Sequence, residues 1–126
     1  VPESLGETLR CAYESLAMKY RYSVEKLEQL TGKIFSAIHI IGGGCRDKLL
    51  CGFTADASGK NVVAGPAEAT ALGNGINQFI GLGVIASVAE GREILRRSIR
   101  TESYTPRNKE SWDKAYSVYL KATGQE

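Results

Sequence analysis

The stretch Ala37-Ile38-His39-Ile40-Ile41-Gly42-Gly43-Gly44 constrains this chain more than any other. An apolar, β-branched run empties at once into three glycines, and a helix-prone segment, Cys45 to Ala57, follows. That order predicts a strand, then a turn whose backbone no Cβ shields. The helix after it aims unpaired N–H groups and a partial positive charge at the same place. In an open α/β sheet, ligands sit beyond the carboxyl ends of strands, and anions favour helix N-termini. A nucleotide or phosphate at Gly42–Gly44 is the ligand the turn suggests. A tight reversal that binds nothing is the alternative the geometry leaves open.

Two common phosphate motifs do not fit. In a G-x-G-x-x-G reading, Gly42 and Gly44 take their places but Asp47 holds the third glycine position. About twenty residues beyond the turn, where an acidic ribose ligand is expected, stand Ala64 and Gly65. Gly32-Lys33-Ile34 and Gly59-Lys60-Asn61 both lack the hydroxyl and the upstream glycine of a P-loop. The turn is neither a dinucleotide fingerprint nor a P-loop.

With 126 residues, 43% hydrophobic and 24% charged, the chain is expected to form one globular domain. Its 16 basic and 14 acidic residues are mixed along the sequence, which gives no electrostatic footprint for nucleic acid. Arg92, Arg96, Arg97 and Arg100 are interleaved with Glu90, Glu93 and Glu102, as on a solvated helix face. Cys11, Cys45 and Cys51 form no C-x-x-C pair, and His39 is the single histidine, so no zinc ligand set is assigned. Reduced thiols, and the lack of an apolar run of about eighteen residues, predict a cytoplasmic protein with no membrane partner. Val1-Pro2-Glu3 reads like the interior of a longer polypeptide.

The expected order of elements is α-β-α-β-α-α-α. Ser4 and Glu7 make a capping box for a first helix that Thr31-Gly32 stops. On it Leu5, Leu9, Ala12, Leu16, Tyr20, Val24, Leu27 and Leu30 share one face, which wants a sheet or another domain to lie against. The second helix, from about Cys45 to Gly59, should turn Leu49, Leu50, Phe53 and Ala57 inward. A strand Asn61–Ala64 leads through Gly65-Pro66, with Pro66 in the first turn of a third helix. Gly73 and Gly75 within that helix suggest close packing against another backbone. Ser87 and Glu90 cap a short helix ending near Arg97, and Ile99–Pro106 looks extended. A last helix from about Lys109 to Gly124 carries Trp112, Ala115, Tyr116 and Tyr119 on one packing stripe. Two parallel strands alone make a poor sheet, which argues for elements or a partner that complete it.

Several blocks together resemble one family. Arg10-Cys11-Ala12-Tyr13-Glu14-Ser15-Leu16-Ala17 is similar to the R-x-x-x-E-S-[LI]-A helix of the FGGY carbohydrate kinases. The strand, the triple glycine, Ala55-Asp56-Ala57 and the block Gly65-Pro66-Ala67-Glu68-Ala69-Thr70-Ala71-Leu72-Gly73-Asn74 follow in that family's order. Lys19-Tyr20-Arg21-Tyr22, Thr31-Gly32-Lys33 and Ile85-Ala86-Ser87-Val88-Ala89-Glu90-Gly91 look most like the rhamnulokinase branch. The resemblance runs from about Gly6 to Tyr119.

It implies an α/β fold, the C-terminal part of an actin/hexokinase-like (ribonuclease H-like) ATPase domain. Residues 1–126 would then be a single segment, the second, ATP-binding domain of a two-domain sugar kinase. ATP with Mg2+ is the implied cofactor, contacting Gly43 and Gly44 with Gly42 adjoining. Asp47 matches a position where the family usually places an asparagine near the adenine; here the amide donor is lost and a charge is added. Gly52 stands where a glutamine is common. Arg10 and Glu14 read as an ion pair of the helix. The catalytic aspartate, the sugar pocket and the phosphate-holding hairpin match nothing in these residues, so no catalytic residue and no metal ligand is assigned. The implied partners are ATP, the rest of the kinase chain and a small sugar, L-rhamnulose, with xylulose, fucose or glycerol as alternatives. The segment alone should not turn over. A non-catalytic nucleotide-binding or interaction module is the rival reading.

Overall fold

Ser4 starts the first helix through the expected reciprocal cap. Its Oγ accepts from Glu7 N–H at 3.2 Å, while Glu7 Oε2 accepts from Ser4 N–H at 3.2 Å. In the computed structural model, which describes residues 2–125, α1 runs from Leu5 to Thr31 and ends at Gly32, left-handed at φ 67°. The face that packs is not the one the leucines mark, although Tyr20 and Val24 of the expected stripe are half-buried. Ala17 and Met18 are its buried residues, with Tyr13, Arg21, Val24, Glu25 and Glu28 half-buried beside them. Leu5, Leu9, Leu16, Leu27 and Leu30 are all exposed, Leu30 to 83%. Both stripes recur at three and four residues, but they sit about a third of a turn apart, and α2 and α5 lie against the second.

After α1 come β1 (Ala37–Ile40), a tight 3-10 turn (Gly42–Arg46) and α2 (Lys48–Ser58). The triple glycine is therefore itself helical, and α2 starts three residues later than its composition suggests. Leu50, Cys51, Thr54, Ala55 and Ala57 are its buried residues, whereas Leu49 is half exposed. Strand β2 (Asn61–Ala64) pairs parallel with β1 in the register Ile38 to Val62 and Ile40 to Ala64. The stretch expected to be extended contains β3 (Glu102–Tyr104), antiparallel to β2, so the sheet has three strands in the order β1-β2-β3.

Alternation along the strands gives the sheet two unlike faces. Val62 and Ala64 pack with Cys51 and Ala55 of α2, with Ile38, Ile40, Cys45 and Tyr104 around them. His39, Ile41 and Val63 point the other way, into a 750 Å³ cleft bounded also by Arg92, Leu95 and Arg96.

Helix α3 (Ala69–Gly81) begins at Glu68, so Pro66 lies before the helix, behind a cis Gly65–Pro66 bond. A Cβ built on Gly73 or Gly75 meets nothing within 4 Å; neither glycine serves a close approach among the described residues. Gly91 does. It is buried in α4 (Val88–Ser98) against Ile76 of α3. The cap of α4 has its Ser87 half as expected, accepting from Glu90 N–H at 3.2 Å, but Glu90 returns its bond to Ala86 N–H at 2.7 Å. Helix α5 (Lys109–Thr123) ends at Gly124 and buries Tyr116, with Trp112 stacked at a tilt 5.3 Å from Phe53. No helix among the described residues is long and apolar enough to cross a membrane.

Candidate functional site

The carboxyl ends of the two parallel strands meet. Gly65 N–H donates to Ile40 C=O at 2.8 Å, and Gly42 N–H donates to Pro66 C=O at 3.2 Å. These two bonds lace the turn after β1 to the turn after β2. Both turns need glycine where they cross: Gly42 has φ 73° and Gly65 φ 111°, conformations an L side chain rarely adopts. A Cβ on Gly65 would make only ordinary contact with Thr101 Cγ2, at 3.6 Å, so the backbone angle and not crowding sets that requirement. Across the two turns, Arg46 Nη2 lies 3.2 Å from Glu68 Oε1, both side chains well exposed.

Gly43 and Gly44 stand open on this platform. Both are exposed, and a Cβ on Gly43 would meet nothing within 4 Å. A ligand can thus approach that backbone directly. From below, Cys51 Sγ lies 3.8 Å from Gly44 C=O, its thiol kept protonated because burial pushes it up.

Asp47 joins the turn to α2. Its N–H donates to Gly44 C=O at 3.2 Å, and its Oδ1 caps α2 by accepting Leu50 N–H at 3.0 Å. The second oxygen accepts the Tyr13 hydroxyl at 2.6 Å. The Leu50 N–H and the Tyr13 hydroxyl hold this carboxyl below the usual aspartate range, and the same bond raises the Tyr13 phenol. The structure therefore brings Gly42, Gly43, Gly44 and Asp47 into one continuous turn and cap. It also adds three residues that the sequence reading left out: Tyr13, Arg46 and Glu68. Tyr13 was legible as the first member of the second stripe on α1, with Ala17, Arg21 and Glu28. Gly42, Gly43 and Gly44 do not line the 750 Å³ cleft; Ile41, one residue earlier, does, as does Gly65 of the second turn.

Asp56, Asp113 and Glu14 have structural partners. Asp56 accepts Arg107 N–H at 2.6 Å, Asp113 binds Arg21 and Lys109, and Glu14 binds Arg10 at 2.7 Å.

A profile described as the FGGY family of carbohydrate kinases, C-terminal domain, matches residues 1–82. The chain belongs to this family. Its fold is thus the C-terminal domain of the actin/hexokinase-like kinases, and the α/β architecture agrees. Among curated relatives, a rhamnulokinase of Bacteroides thetaiotaomicron is 46% identical over 116 residues, covering 92% of this chain and 24% of the relative. A rhamnulokinase of Halalkalibacterium halodurans is 41% identical over 86% of this chain and 23% of its own length. One from Klebsiella pneumoniae is 44% identical over 84% of this chain and 22% of its own. The chain spans about a quarter of the length of these relatives.

Proposed function

We propose that residues 1–126 are the ATP-binding C-terminal segment of a rhamnulokinase, an enzyme that transfers phosphate from ATP to L-rhamnulose. Identities of 41–46% to rhamnulokinases across most of the chain carry this reading. The laced glycine turn supports the nucleotide's place. Gly43 and Gly44 offer backbone with no side chain in the way, Gly42 fixes the turn's course, and the start of α2 supplies a partial positive charge. Asp47 closes the turn on the side of the base. In this assignment the chain's work is to bind and orient the nucleoside, so that phosphoryl transfer is served by positioning and charge neutralisation. Mg2+ would come with the ATP phosphates and supply charge neutralisation there; none of Gly42, Gly43, Gly44 and Asp47 is assigned to it. The sugar pocket and the general base belong to the remainder of the enzyme, which makes the segment alone inactive. The same reading makes the parent enzyme cytoplasmic.

The test is ADP release by the full-length kinase with Mg-ATP and L-rhamnulose, xylulose, fuculose or glycerol. Preferential turnover of L-rhamnulose is the expected result. Preference for another sugar would retain the family and replace the substrate, and no turnover by folded enzyme would favour a non-catalytic nucleotide-binding module.

A further inference from the structure

From Ala69 to Ala89 the chain carries no charged residue, yet α3, which makes up most of that stretch, has no buried residue. Phe79 is 52% exposed, and Leu82 and Val84 beyond it are more so. Helix α4 is the main neighbour of α3, meeting it where Gly91 lies against Ile76. Beside that contact the two helices leave a groove of 330 Å³. None of the ten residues that line it is polar or charged; Leu72, Gly75, Ile76 and Phe79 form one wall, and Ile94 and Leu95 the other. A continuous apolar surface of this kind marks a place where something else packs. We propose that this groove seats an apolar helix from the part of the kinase outside residues 1–126. It rests on the reading above only in taking these residues as part of a longer kinase.

The walls give an occupant nothing to hydrogen-bond. Their side chains are apolar, and the N–H groups of Val84 and Ile85 are already spent on Phe79 C=O, at 2.9 and 3.4 Å. A strand or loop lying there would bury unpaired backbone groups, whereas a helix pairs its own. Gly75, with nothing within 4 Å of a built Cβ, leaves room for that helix to come close. A second copy of the chain is a poor fit for the space. Stable contacts between separate chains use about 20–30 residues a side, and this groove has ten. A segment tethered in the same chain needs far less area, because the tether keeps its effective concentration high. The chain spans about a quarter of its relatives' length, which leaves about three quarters of such a kinase to supply the helix. Seated there, the helix lies on the element that starts just past Pro66, whose C=O accepts the Gly42 N–H at 3.2 Å. The groove thus joins the remainder of the kinase to the glycine turn.

The experiment is photo-crosslinking in the full-length kinase, with Phe79→p-benzoylphenylalanine and, separately, Ile94→p-benzoylphenylalanine. Each variant is irradiated at low micromolar concentration, and its linked peptides are mapped by mass spectrometry. Both positions should capture one segment outside residues 1–126, in the same chain, with its apolar residues three or four apart. Links between two chains, seen as a doubled mass, overturn the proposal in favour of a contact between copies. Links only to residues 1–126, or none, leave the groove open and overturn it too. A captured segment whose apolar residues alternate like those of a strand does the same. Should a variant not fold, hydroxyl-radical footprinting of the natural kinase decides. Oxidation of Phe79 should be at least about fivefold slower in the folded than in the urea-unfolded enzyme. Weaker protection matches the 52% exposure that Phe79 has here and overturns the proposal. A natural protein whose intact mass is that of residues 1–126 alone removes the longer kinase first; a longer kinase with an open groove removes this proposal alone.

Discussion

Arg21 of α1 donates to Asp113 of α5 at 2.6 Å, across 92 residues of sequence. The same guanidinium donates to Ala57 C=O at 3.0 Å and to Glu25 at 2.8 Å, and lies 4.0 Å over the Tyr116 ring. Tyr116 completes the circuit by donating its hydroxyl to Glu25 at 2.9 Å. One planar cation thus ties α1, α2 and α5 together, and its side chain is only 13% exposed. Arg21→Ala would strand the Ala57 carbonyl and remove the cover over Tyr116. A loss of about 2 kcal/mol is expected in urea unfolding followed by circular dichroism. Arg21→Lys should recover less than half of it, because an ammonium has neither the fork nor the flat face.

Gly91 and Gly75 should respond oppositely to the same substitution. A Cβ on Gly91 would sit 2.6 Å from Ile76 Cγ2, 3.0 Å from Cγ1 and 3.1 Å from Cδ1, a contact that a β-branched side chain cannot relieve by a small rotation. Gly91→Ala should therefore lower stability by about 1–2 kcal/mol despite alanine's better helix propensity. Pairing it with Ile76→Ala should remove most of that interaction in a double-mutant cycle. Gly75→Ala, with open space at its Cβ, should raise the stability of this chain by up to about 1 kcal/mol. Thermal unfolding of Gly91→Ala, Ile76→Ala, their double mutant and Gly75→Ala separates these signs.

Elements and their ends were legible because local chemistry fixes them. Ser4 with Glu7, and the glycines at 32, 59 and 124, mark helix boundaries whatever surrounds them. Burial was less legible. Periodicity showed that α1 has an apolar stripe, yet the stripe through Leu9, Leu16 and Leu27 stays exposed while the mixed one through Ala17 and Arg21 packs. The reason is that Arg21 and Glu28 find partners 36, 92 and 32 residues away, in Ala57, Asp113 and Lys60, and no local pattern announces those. The third strand was hidden for a similar reason: Glu102-Ser103-Tyr104 is too short and polar to declare itself before β2 offers an edge. At the site, the three glycines and Asp47 were legible, but the lacing of Gly42 to Pro66 and the bond from Tyr13 to Asp47 are tertiary.

Glu93 supplies a pH dependence with a definite sign. Arg96 and Arg97 both donate to its carboxylate, at 2.8 Å and 2.6 Å, and hold its pKa down to about 2 from an ordinary 4.5. The folded carboxyl binds its proton more weakly than the unfolded one, so its contribution is complete above about pH 4.5. It fades as pH falls from there towards about 2. A carbon-detected NMR titration of the Glu93 side chain should place its midpoint near the lower value. Arg96→Ala should move that midpoint upward and Arg97→Ala should do so less, in the order of their effects on the carboxylate.

Gly42 and Gly43 are neighbours that should fail for different reasons. Gly42 stands at φ 73°, so Gly42→Ala strains the turn by about 1–2 kcal/mol and loosens its bond to Pro66 C=O. The measurable effect is lower stability, with nucleotide affinity following only as the turn is lost. Gly43 is not in the left-handed region, and its Cβ position is empty. Gly43→Val should therefore leave the urea midpoint of the full-length kinase within a few tenths of a molar of the natural enzyme. If the nucleoside rests on this backbone, the new side chain occupies its place, and KM for ATP should rise at least tenfold while KM for the sugar changes little. A Gly43→Val enzyme with normal KM for ATP would place the nucleotide elsewhere, and a large drop in its stability would instead show that the open space above Gly43 is filled by the rest of the protein.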